Sequence, residues 1–324
     1  MVSTAYPRHI PSIRYSDSSD FFSRLQTLDV WLPRPLEQSD PANSLWIIYI
    51  HGGAWRDPLQ DAKCVEPTLN RLFSESNASA LRHVAGIASL NYRLSPYASH
   101  PTDPSSRFDR DRNVQHPTHV RDIARGIQYL QKEYGVKRWI GVGHSCGATM
   151  LLQLVSGLGL EDESSSLTGN TEQRGPEALI LLEGIYNIPL LLRNHLPPTC
   201  PENISQIYRD FIVGAFGPDQ AVYQSVSPVS GKYNTKQWSA GRLIVICHSY
   251  EDELVERAQR DVMCVALDRE GWSIVMEAGD DEDEVRAEGR RVLNVRDLKG
   301  GHDWIWEDGE QIAKLVAEVV QRLT

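Results

Sequence analysis

The sequence has few cysteines, and their spacing excludes several protein classes. Five are present among 324 residues, at positions 64, 146, 200, 247 and 264. The number is odd and no two form a Cys-x-x-Cys pair, which argues against a disulfide framework, a zinc site built on cysteine pairs and a dithiol redox centre. Free thiols in a reducing compartment are therefore expected, as in a cytoplasmic enzyme.

Long apolar runs and an excess of positive charge are also lacking. No segment approaches the ~18–20 apolar residues of a membrane span. The N-terminal stretch has no apolar signal core, and the C-terminal QRLT matches no targeting tail. Lysine plus arginine number 33 against 43 acidic residues, a net charge of −10, without a basic stripe. We therefore expect a small-molecule substrate and neither a membrane nor a nucleic acid as partner, with a homodimer left open.

Apolar runs of strand length alternate with amphipathic helical patterns along the chain. The runs lie at residues 45–50, 84–91, 138–143, 178–182, 242–247, 272–276 and 291–295. The helical patterns lie at residues 119–134, 148–155, 253–268 and 306–323. Near-continuous apolar strands are typical of parallel sheets that are covered on both faces. The predicted fold class is therefore α/β, with a mostly parallel central sheet and helices on both sides.

The length of the chain fits a single domain, residues 1–324, that carries insertions. Three polar stretches, at residues 97–113, 161–175 and 279–285, are predicted to be surface insertions. The longer region at residues 186–241 has several prolines and few clear strands, and it is a candidate cap over a site.

The nonapeptide GVGHSCGAT, residues 141–149, places Ser145 between glycines two positions away on each side. Glycine inside a helix or strand costs roughly 0.5–1 kcal/mol relative to alanine, so the cluster indicates a geometry that side chains would obstruct. An apolar strand precedes the serine and a helical pattern follows it. This arrangement predicts a G-x-S-x-G nucleophile elbow, a sharp turn that exposes the serine hydroxyl.

A serine nucleophile needs a base and an acid that orients the base, and in α/β-hydrolases the chain order is serine, acid, histidine. Two loops that follow predicted strands provide them: HSYEDE at residues 248–253 and KGGHD at residues 299–303. We select Asp252 as the acid over its neighbouring glutamates, because it sits in the turn before a helix. His302 is the predicted base, and His144 and His248 are weaker candidates.

The sequence HGGAW, residues 51–55, follows the first predicted strand and resembles the HGGG-type oxyanion loop of lipases and esterases. Backbone N–H groups of Gly52 or Gly53, together with that of Cys146, are the predicted donors to the oxyanion. Ala54 departs from the wider pattern by replacing the third glycine. No cofactor and no metal are expected, since the only close histidine pair, at positions 116 and 119, has no carboxylate cluster beside it.

Three motifs in one order carry a family resemblance: HGGAWRDP from residue 51, GHSCGAT from residue 143 and HSYEDEL from residue 248. They resemble the fungal kynurenine formamidases, also called arylformamidases, of the α/β-hydrolase superfamily. The resemblance implies an α/β-hydrolase fold and hydrolysis of N-formyl-L-kynurenine to L-kynurenine and formate, in tryptophan degradation and NAD biosynthesis. Matched by motif, its triad is Ser145, Asp252 and His302.

Substrate contacts are less well determined by the sequence. Trp55, Tyr186 and Trp304 are candidate walls for the aromatic ring of the substrate, while aromatic residues in a core of this size mostly pack against one another. The amino-acid group has candidate partners at residues 56, 91 and 92. Two other functions remain open: a carboxylesterase of broader specificity with the same triad, and a non-catalytic protein that binds a ligand through the hydrolase fold.

Overall fold

A computed structural model describes residues 5–16, 23–160, 175–276 and 290–324. The strands in these ranges are β1 (Arg8–Arg14), β2 (Thr27–Leu32), β3 (Leu45–Ile50), β4 (Val84–Leu90), β5 (Trp139–His144), β6 (Ala178–Leu182), β7 (Leu243–Ser249), β8 (Ser273–Val275) and β9 (Val292–Leu298). They form one sheet in the order β1-β2-β4-β3-β5-β6-β7-β9-β8. The pairs β1–β2 and β2–β4 are antiparallel and the other pairs are parallel.

The helices cover both faces of this sheet, as the α/β prediction requires. They are α1 (Glu66–Leu72), α2 (Ala78–Leu81), α3 (Thr118–Tyr134), α4 (Cys146–Ser156), α5 (Ile188–Asn194), α6 (Glu202–Phe216), α7 (Ala221–Val226), α8 (Ala258–Arg269), α9 (Trp304–Asp308) and α10 (Glu310–Leu323). One apolar core contains residues of α3 to α8, and the core on the opposite face contains residues of α1, α2, α9 and α10. The predicted fold class is confirmed.

The alternation of side chains along β3 explains why both faces need cover. Trp46, Ile48 and Ile50 point into the core beneath α3 and α4. Their neighbours Leu45, Ile47 and Tyr49 point into the core beneath α1 and α10. Because successive residues of a strand face opposite sides, a strand with two buried faces is apolar throughout. The hydrophobic run in the sequence follows from this position in the sheet.

All seven predicted strands are present, with ends within about three residues of the predicted ones. The four predicted helices are present too, but two of them differ in detail. The predicted helix 253–268 begins at Ala258, because the residues after the acid form a turn in which Asp252 accepts hydrogen bonds from two backbone amides. The predicted helix 306–323 is divided at Gly309, whose φ of +70° is left-handed.

Of the predicted insertions, residues 97–113 consist of turns and bends, whereas residues 279–285 and all but the last residue of 161–175 lie outside the described ranges. The candidate cap, residues 186–241, contains α5, α6 and α7. The boundaries of the domain and the cap function stay predictions. No helix in the described part of the chain is both long and apolar enough to cross a membrane.

Candidate active site

The carboxyl ends of the parallel strands meet at one edge of the sheet, and the predicted site residues lie in the loops that leave this edge. The oxyanion loop follows β3, the serine follows β5, the acid follows β7 and the predicted base follows β9. Ligand sites in open α/β sheets form outside the carboxyl ends of the strands. The topology therefore brings together residues that are far apart in sequence.

Ser145 occupies a strained turn between β5 and α4. Its φ and ψ are 53° and −124°, a conformation that non-glycine residues rarely adopt. The turn is fixed by a hydrogen bond from the Ser145 N–H to the carbonyl of Leu182 (2.8 Å). A side chain at Gly147 would place its Cβ 2.2 Å from the carbonyl oxygen of Ile50, and one at Gly143 would lie 2.6 Å from the backbone of α4. The glycines therefore permit close contact between backbone segments, as the elbow motif predicts.

His302 and Asp252 form a direct hydrogen bond. The Nδ1–H of His302 donates to Asp252 Oδ2 at 2.9 Å, which leaves Nε2 as the proton acceptor. Asp252 Oδ1 accepts from the amides of Leu254 and Val255, each at 2.9 Å. Burial alone would raise the pKa of Asp252, but the bond to His302 and these amides outweigh it and hold the pKa below its usual range. Asp252 is thus an ionised acid that orients the imidazole.

The two other histidines near the site have structural partners. The Nε2–H of His144 donates to the carbonyl oxygen of His302 at 3.0 Å, and that of His248 donates to the carbonyl of Val255 at 2.8 Å. Burial lowers the pKa of His144 to about 3 and also lowers that of His248. Both rings are therefore neutral near pH 7, and each supports the backbone of a loop that carries a predicted triad residue.

The oxyanion loop adopts a rare backbone conformation beside the serine. Three successive residues, Gly53, Ala54 and Trp55, have φ values of 92°, 48° and 60°. A Cβ added to Gly52 would lie 3.1 Å from the Cβ of Ser145, so the Gly52 backbone is in contact with the elbow. Ala54 occupies its left-handed position in place of the third glycine of the wider pattern. The strain lies directly after Gly52 and Gly53, whose backbone N–H groups are the predicted oxyanion donors of this loop.

Side chains beneath the oxyanion loop hold it in place. The Tyr92 hydroxyl donates to the carbonyl of Gly52 at 2.8 Å, and its ring stacks on His51 with ring centroids 4.4 Å apart. The Cys146 sulfur accepts from the amide of Trp55 at 3.3 Å. Burial raises the pKa of Cys146 to about 11, so its thiol is un-ionised. The sequence predicts a role only for the N–H of Cys146, yet its side chain also supports the loop.

Glu183 is a buried acid that lies outside the three sequence motifs. It follows β6 directly, with a φ of 51°. Its Oε2 lies 3.6 Å from Nε2 of His144 and 3.7 Å from Nδ1 of His302, and neither carboxyl oxygen has a well-formed hydrogen bond among the described residues. Burial and the charge of Asp252 raise the pKa of Glu183 to about 10, so the carboxyl is protonated at pH 7. An acid placed directly after an apolar strand, as in the Asp252 loop, is the signal that could have found it.

His144, Glu183 and His302 also contain the ligand types of a metal site. Their ligand atoms lie within 4.8 Å of one another. However, Nε2 of His144 and Nδ1 of His302 already donate hydrogen bonds, and metal binding requires deprotonated ligands. A metal ion here would have to displace Asp252 from His302.

The three predicted aromatic walls differ in their accessibility. Trp55 is 1% exposed and lies against Phe211 and Phe216, with ring centroids 6.4 Å and 5.0 Å away. Tyr186 is fully buried, and its hydroxyl has no hydrogen-bond partner among the described residues. Trp304 is 46% exposed. Trp304 is therefore the one available to a ligand without rearrangement, and contact of any of them with substrate stays a prediction.

Two of the candidates for the amino-acid group have structural partners instead. Tyr92 supports the oxyanion loop, and Asn91 donates to Oγ1 of Thr27 on β2 at 2.9 Å. Arg56 differs, because its guanidinium lies over the ring of Tyr97, with Cζ 4.0 Å from the ring centroid, rather than against an acid.

Comparison with known proteins identifies relatives along nearly the whole chain. No family model matches. A kynurenine formamidase-like hydrolase from Fusarium equiseti is 32% identical over 97% of this chain and 95% of its own length. A kynurenine formamidase from Aspergillus versicolor is 33% identical over 84% and 87%, and one from Meyerozyma guilliermondii is 32% identical over 74% and 75%.

Solved structures with the same fold include esterases of low sequence identity. Esterase B from Lactobacillus rhamnosis superposes with a TM-score of 0.61 at 16% identity, covering 99% of this chain and 89% of its own. Esterase 2 from Thermogutta terrifontis gives a TM-score of 0.59 at 15% identity, with 98% and 96% covered. These similarities show that the chain has the α/β-hydrolase fold, and they do not identify its substrate.

Proposed function

The chain belongs to the kynurenine formamidase family of α/β-hydrolases, and from this premise we propose that it hydrolyses N-formyl-L-kynurenine to L-kynurenine and formate. The observation that carries the proposal is the His302–Asp252 hydrogen bond, formed at the sheet edge where Ser145 contacts the oxyanion loop. In this proposal the protein is a serine hydrolase that acts on a linear amide, in tryptophan degradation and NAD biosynthesis.

The first half of the reaction transfers the formyl group to the serine. His302 Nε2 takes the proton of Ser145 as the hydroxyl oxygen attacks the formyl carbon, and Asp252 stabilises the imidazolium that results. The N–H groups of Cys146 and of Gly52 or Gly53 bind the oxyanion. As the C–N bond breaks, His302 returns its proton to the arylamine nitrogen, which leaves as kynurenine.

The second half releases formate. Water loses a proton to His302 and attacks the formyl-serine ester through the same oxyanion geometry, and the proton then returns to Ser145 as the ester breaks. The acyl side of the site has to admit only a hydrogen atom on the carbonyl carbon, whereas the leaving group is a substituted aniline. A narrow acyl side and a wide leaving-group side would therefore favour formamides over longer acyl groups.

The cellular setting that we propose is the cytoplasm. All five cysteines are free in the structure, and three of them are buried. Free thiols persist in reducing compartments, where disulfides are rare. This supports a cytoplasmic enzyme, and fractionation of cells that express a tagged chain would test it.

A product assay tests the proposed function. Incubation with N-formyl-L-kynurenine should release kynurenine, followed by its absorbance, and formate, followed enzymatically, in equal amounts. The Ser145→Ala variant should release neither, while its circular dichroism spectrum matches that of the wild type. Release of kynurenine at equal rates by the wild type and by Ser145→Ala would exclude Ser145 as the nucleophile.

Broader carboxylesterase activity is the second candidate, favoured by the esterase structures that share the fold. It would appear as hydrolysis of short-chain aryl esters without hydrolysis of the formamide. Covalent labelling distinguishes a hydrolase from a non-catalytic binding protein. A fluorophosphonate should modify Ser145 of the folded wild type if the triad is active. Intact, unlabelled protein after such treatment would favour the non-catalytic alternative.

A further inference from the structure

Arg56 is a buried arginine at the end of the oxyanion loop. Its side chain is held on aromatic rings, with Cζ 4.0 Å from the ring centroid of Tyr97 and 5.7 Å from that of Phe211. Its backbone N–H donates to the carbonyl of Gly53 at 2.9 Å, which fixes it to the strained loop. Only 7% of the residue is exposed. The guanidinium therefore has a defined position in a largely desolvated environment.

The charge of Arg56 has no ion-pair partner in the part of the chain that the structure describes. Within residues 5–16, 23–160, 175–276 and 290–324, no carboxylate forms a salt bridge with its guanidinium and no side-chain hydrogen bond satisfies it. Arg93, by contrast, binds Asp122 at 2.7 Å. The nearby acids Asp57 and Asp210 only partly offset the burial that lowers the pKa of Arg56. A buried, unpaired charge is costly, so an anion that bound here would be stabilised.

Arg56 lies where the oxyanion loop meets the cap helix α6. The preceding residue, Trp55, donates its amide to the side chain of the residue after the nucleophile. On α6, Phe211 contacts Trp55 and Arg56, while Tyr208 donates to the carbonyl of Leu254 in the acid loop at 2.5 Å. The helix thus connects the oxyanion loop to the acid loop, and Arg56 is at one end of this connection, next in sequence to the residue whose amide binds Cys146.

We propose that Arg56 binds the carboxylate of the substrate's leaving group and so selects aryl formamides that carry a carboxylate-bearing side chain. The inference rests on the proposed function for its formamide chemistry but not for its charge selectivity. A guanidinium presents paired N–H donors that match the two oxygens of a carboxylate, and these donors point outward in the guanidinium plane while Tyr97 lies against its face. The site would then recognise the leaving group at two points, the formyl carbon and the carboxylate.

The test compares two substrate pairs in which only one member carries a carboxylate. The formamides are N-formyl-L-kynurenine and ortho-formamidoacetophenone, and the esters are the acetates of ortho-hydroxyphenylpropanoate and ortho-ethylphenol. For each pair, the kcat/KM of the substrate with the carboxylate is divided by that of the substrate without it. In Arg56→Gln this ratio should fall about 10- to 100-fold, mainly through KM, which corresponds to about 1.4–2.8 kcal/mol.

Two further variants separate charge recognition from structural damage. Arg56→Lys keeps the charge and should recover part of the ratio. Arg257→Gln removes an arginine that also stacks on a tyrosine, Tyr250, with Cζ 4.0 Å from its ring centroid, and it should leave the ratio within about twofold of the wild type. A ratio that stays constant in Arg56→Gln, or rates that fall equally for substrates with and without the carboxylate, would overturn the inference.

The ester pair distinguishes this failure from failure of the proposed function. If the wild type hydrolyses the esters but neither formamide, the proposed function fails while the ester ratios still decide the role of Arg56. If the formamides are hydrolysed and the ratio of kcat/KM values is unchanged in Arg56→Gln, the proposed function stands and the inference fails. A wild type that is inactive on both pairs would overturn both.

Discussion

Replacing Glu183, the buried acid beside His302, should make the stability of the protein less dependent on pH. Glu183 is buried at the end of β6, and its pKa is raised from 4.5 to about 10, first by burial and then by the charge of Asp252. Between pH 4.5 and about pH 10, Glu183 is therefore protonated in the folded chain and ionised in the unfolded chain. The protonated carboxyl therefore contributes its full stability below about pH 4.5, and this contribution is lost progressively as the pH rises toward about 10. The Glu183→Gln variant carries an amide that does not ionise in this pH range, so its stability should not fall with rising pH for this reason.

The size of the effect follows from linkage. One proton bound by the folded state alone changes the free energy of unfolding by at most about 1.4 kcal/mol per pH unit. Between pH 6 and pH 8, the stability of the Glu183→Gln variant should therefore rise relative to the wild type by up to about 3 kcal/mol. The sign of this change identifies the effect, because most substitutions of buried residues destabilise a protein, whereas this variant should gain stability relative to the wild type as the pH rises.

Urea unfolding at several pH values and constant ionic strength, followed by tryptophan fluorescence, measures this difference. Glu270→Gln is the matched control, because the pKa of Glu270 is lowered despite its partial burial, so this acid is ionised in both states above pH 6. Its stability should run parallel to that of the wild type between pH 6 and pH 8. A parallel curve for Glu183→Gln as well would refute the protonated state assigned to Glu183.

Three further predictions concern the site and its support. Asp252→Asn should lower kcat about 1,000- to 10,000-fold in steady-state assays while the protein remains folded, because the imidazole loses its orienting acid; a loss below tenfold would contradict this role. Tyr92→Phe should cost about 1–3 kcal/mol in urea unfolding and lower kcat, because the carbonyl of Gly52 loses its buried donor; unchanged stability would exclude that support. Gly147→Ala should prevent folding or abolish activity, because its Cβ would lie 2.2 Å from a carbonyl oxygen. Gly271→Ala, whose Cβ would meet no described atom within 4 Å beyond its chain neighbours, should lower the free energy of unfolding by only about 1–2 kcal/mol. Expression, solubility and circular dichroism of the two variants measure this difference.

The central strands could be predicted, and a candidate triad could be named, because their signals are local. Buried strands appear as apolar runs, and the elbow appears as glycines at fixed distances from Ser145. Chain order then restricted the acid and the base to two loops. The antiparallel strands β1 and β2, at one end of the sheet, were not predicted. β1 is mostly exposed and contains Pro11, and β2 carries Asp29, which is buried only because His9 and the Ser12 amide bind it across the strand pair.

The supporting residues around the site depend on contacts that no short motif contains. Glu183 and His302 are far apart in sequence, and their proximity follows from the neighbouring positions of β6, β7 and β9 in the sheet. The same holds for the sulfur of Cys146 beneath the oxyanion loop and for Arg56 on the rings of two distant segments. Sequence patterns identify residues within one element, whereas these roles arise from packing between elements.

The central claim, that a Ser145–His302–Asp252 triad hydrolyses an aryl formamide, is tested most directly by one kinetic comparison. The measurement is kcat/KM for N-formyl-L-kynurenine and for p-nitrophenyl acetate, with Ser145→Ala as the control. We predict a preference for the formamide by orders of magnitude and no activity of the variant on either substrate. Turnover of the ester alone would contradict the proposed substrate, and formamide turnover by Ser145→Ala would contradict the mechanism.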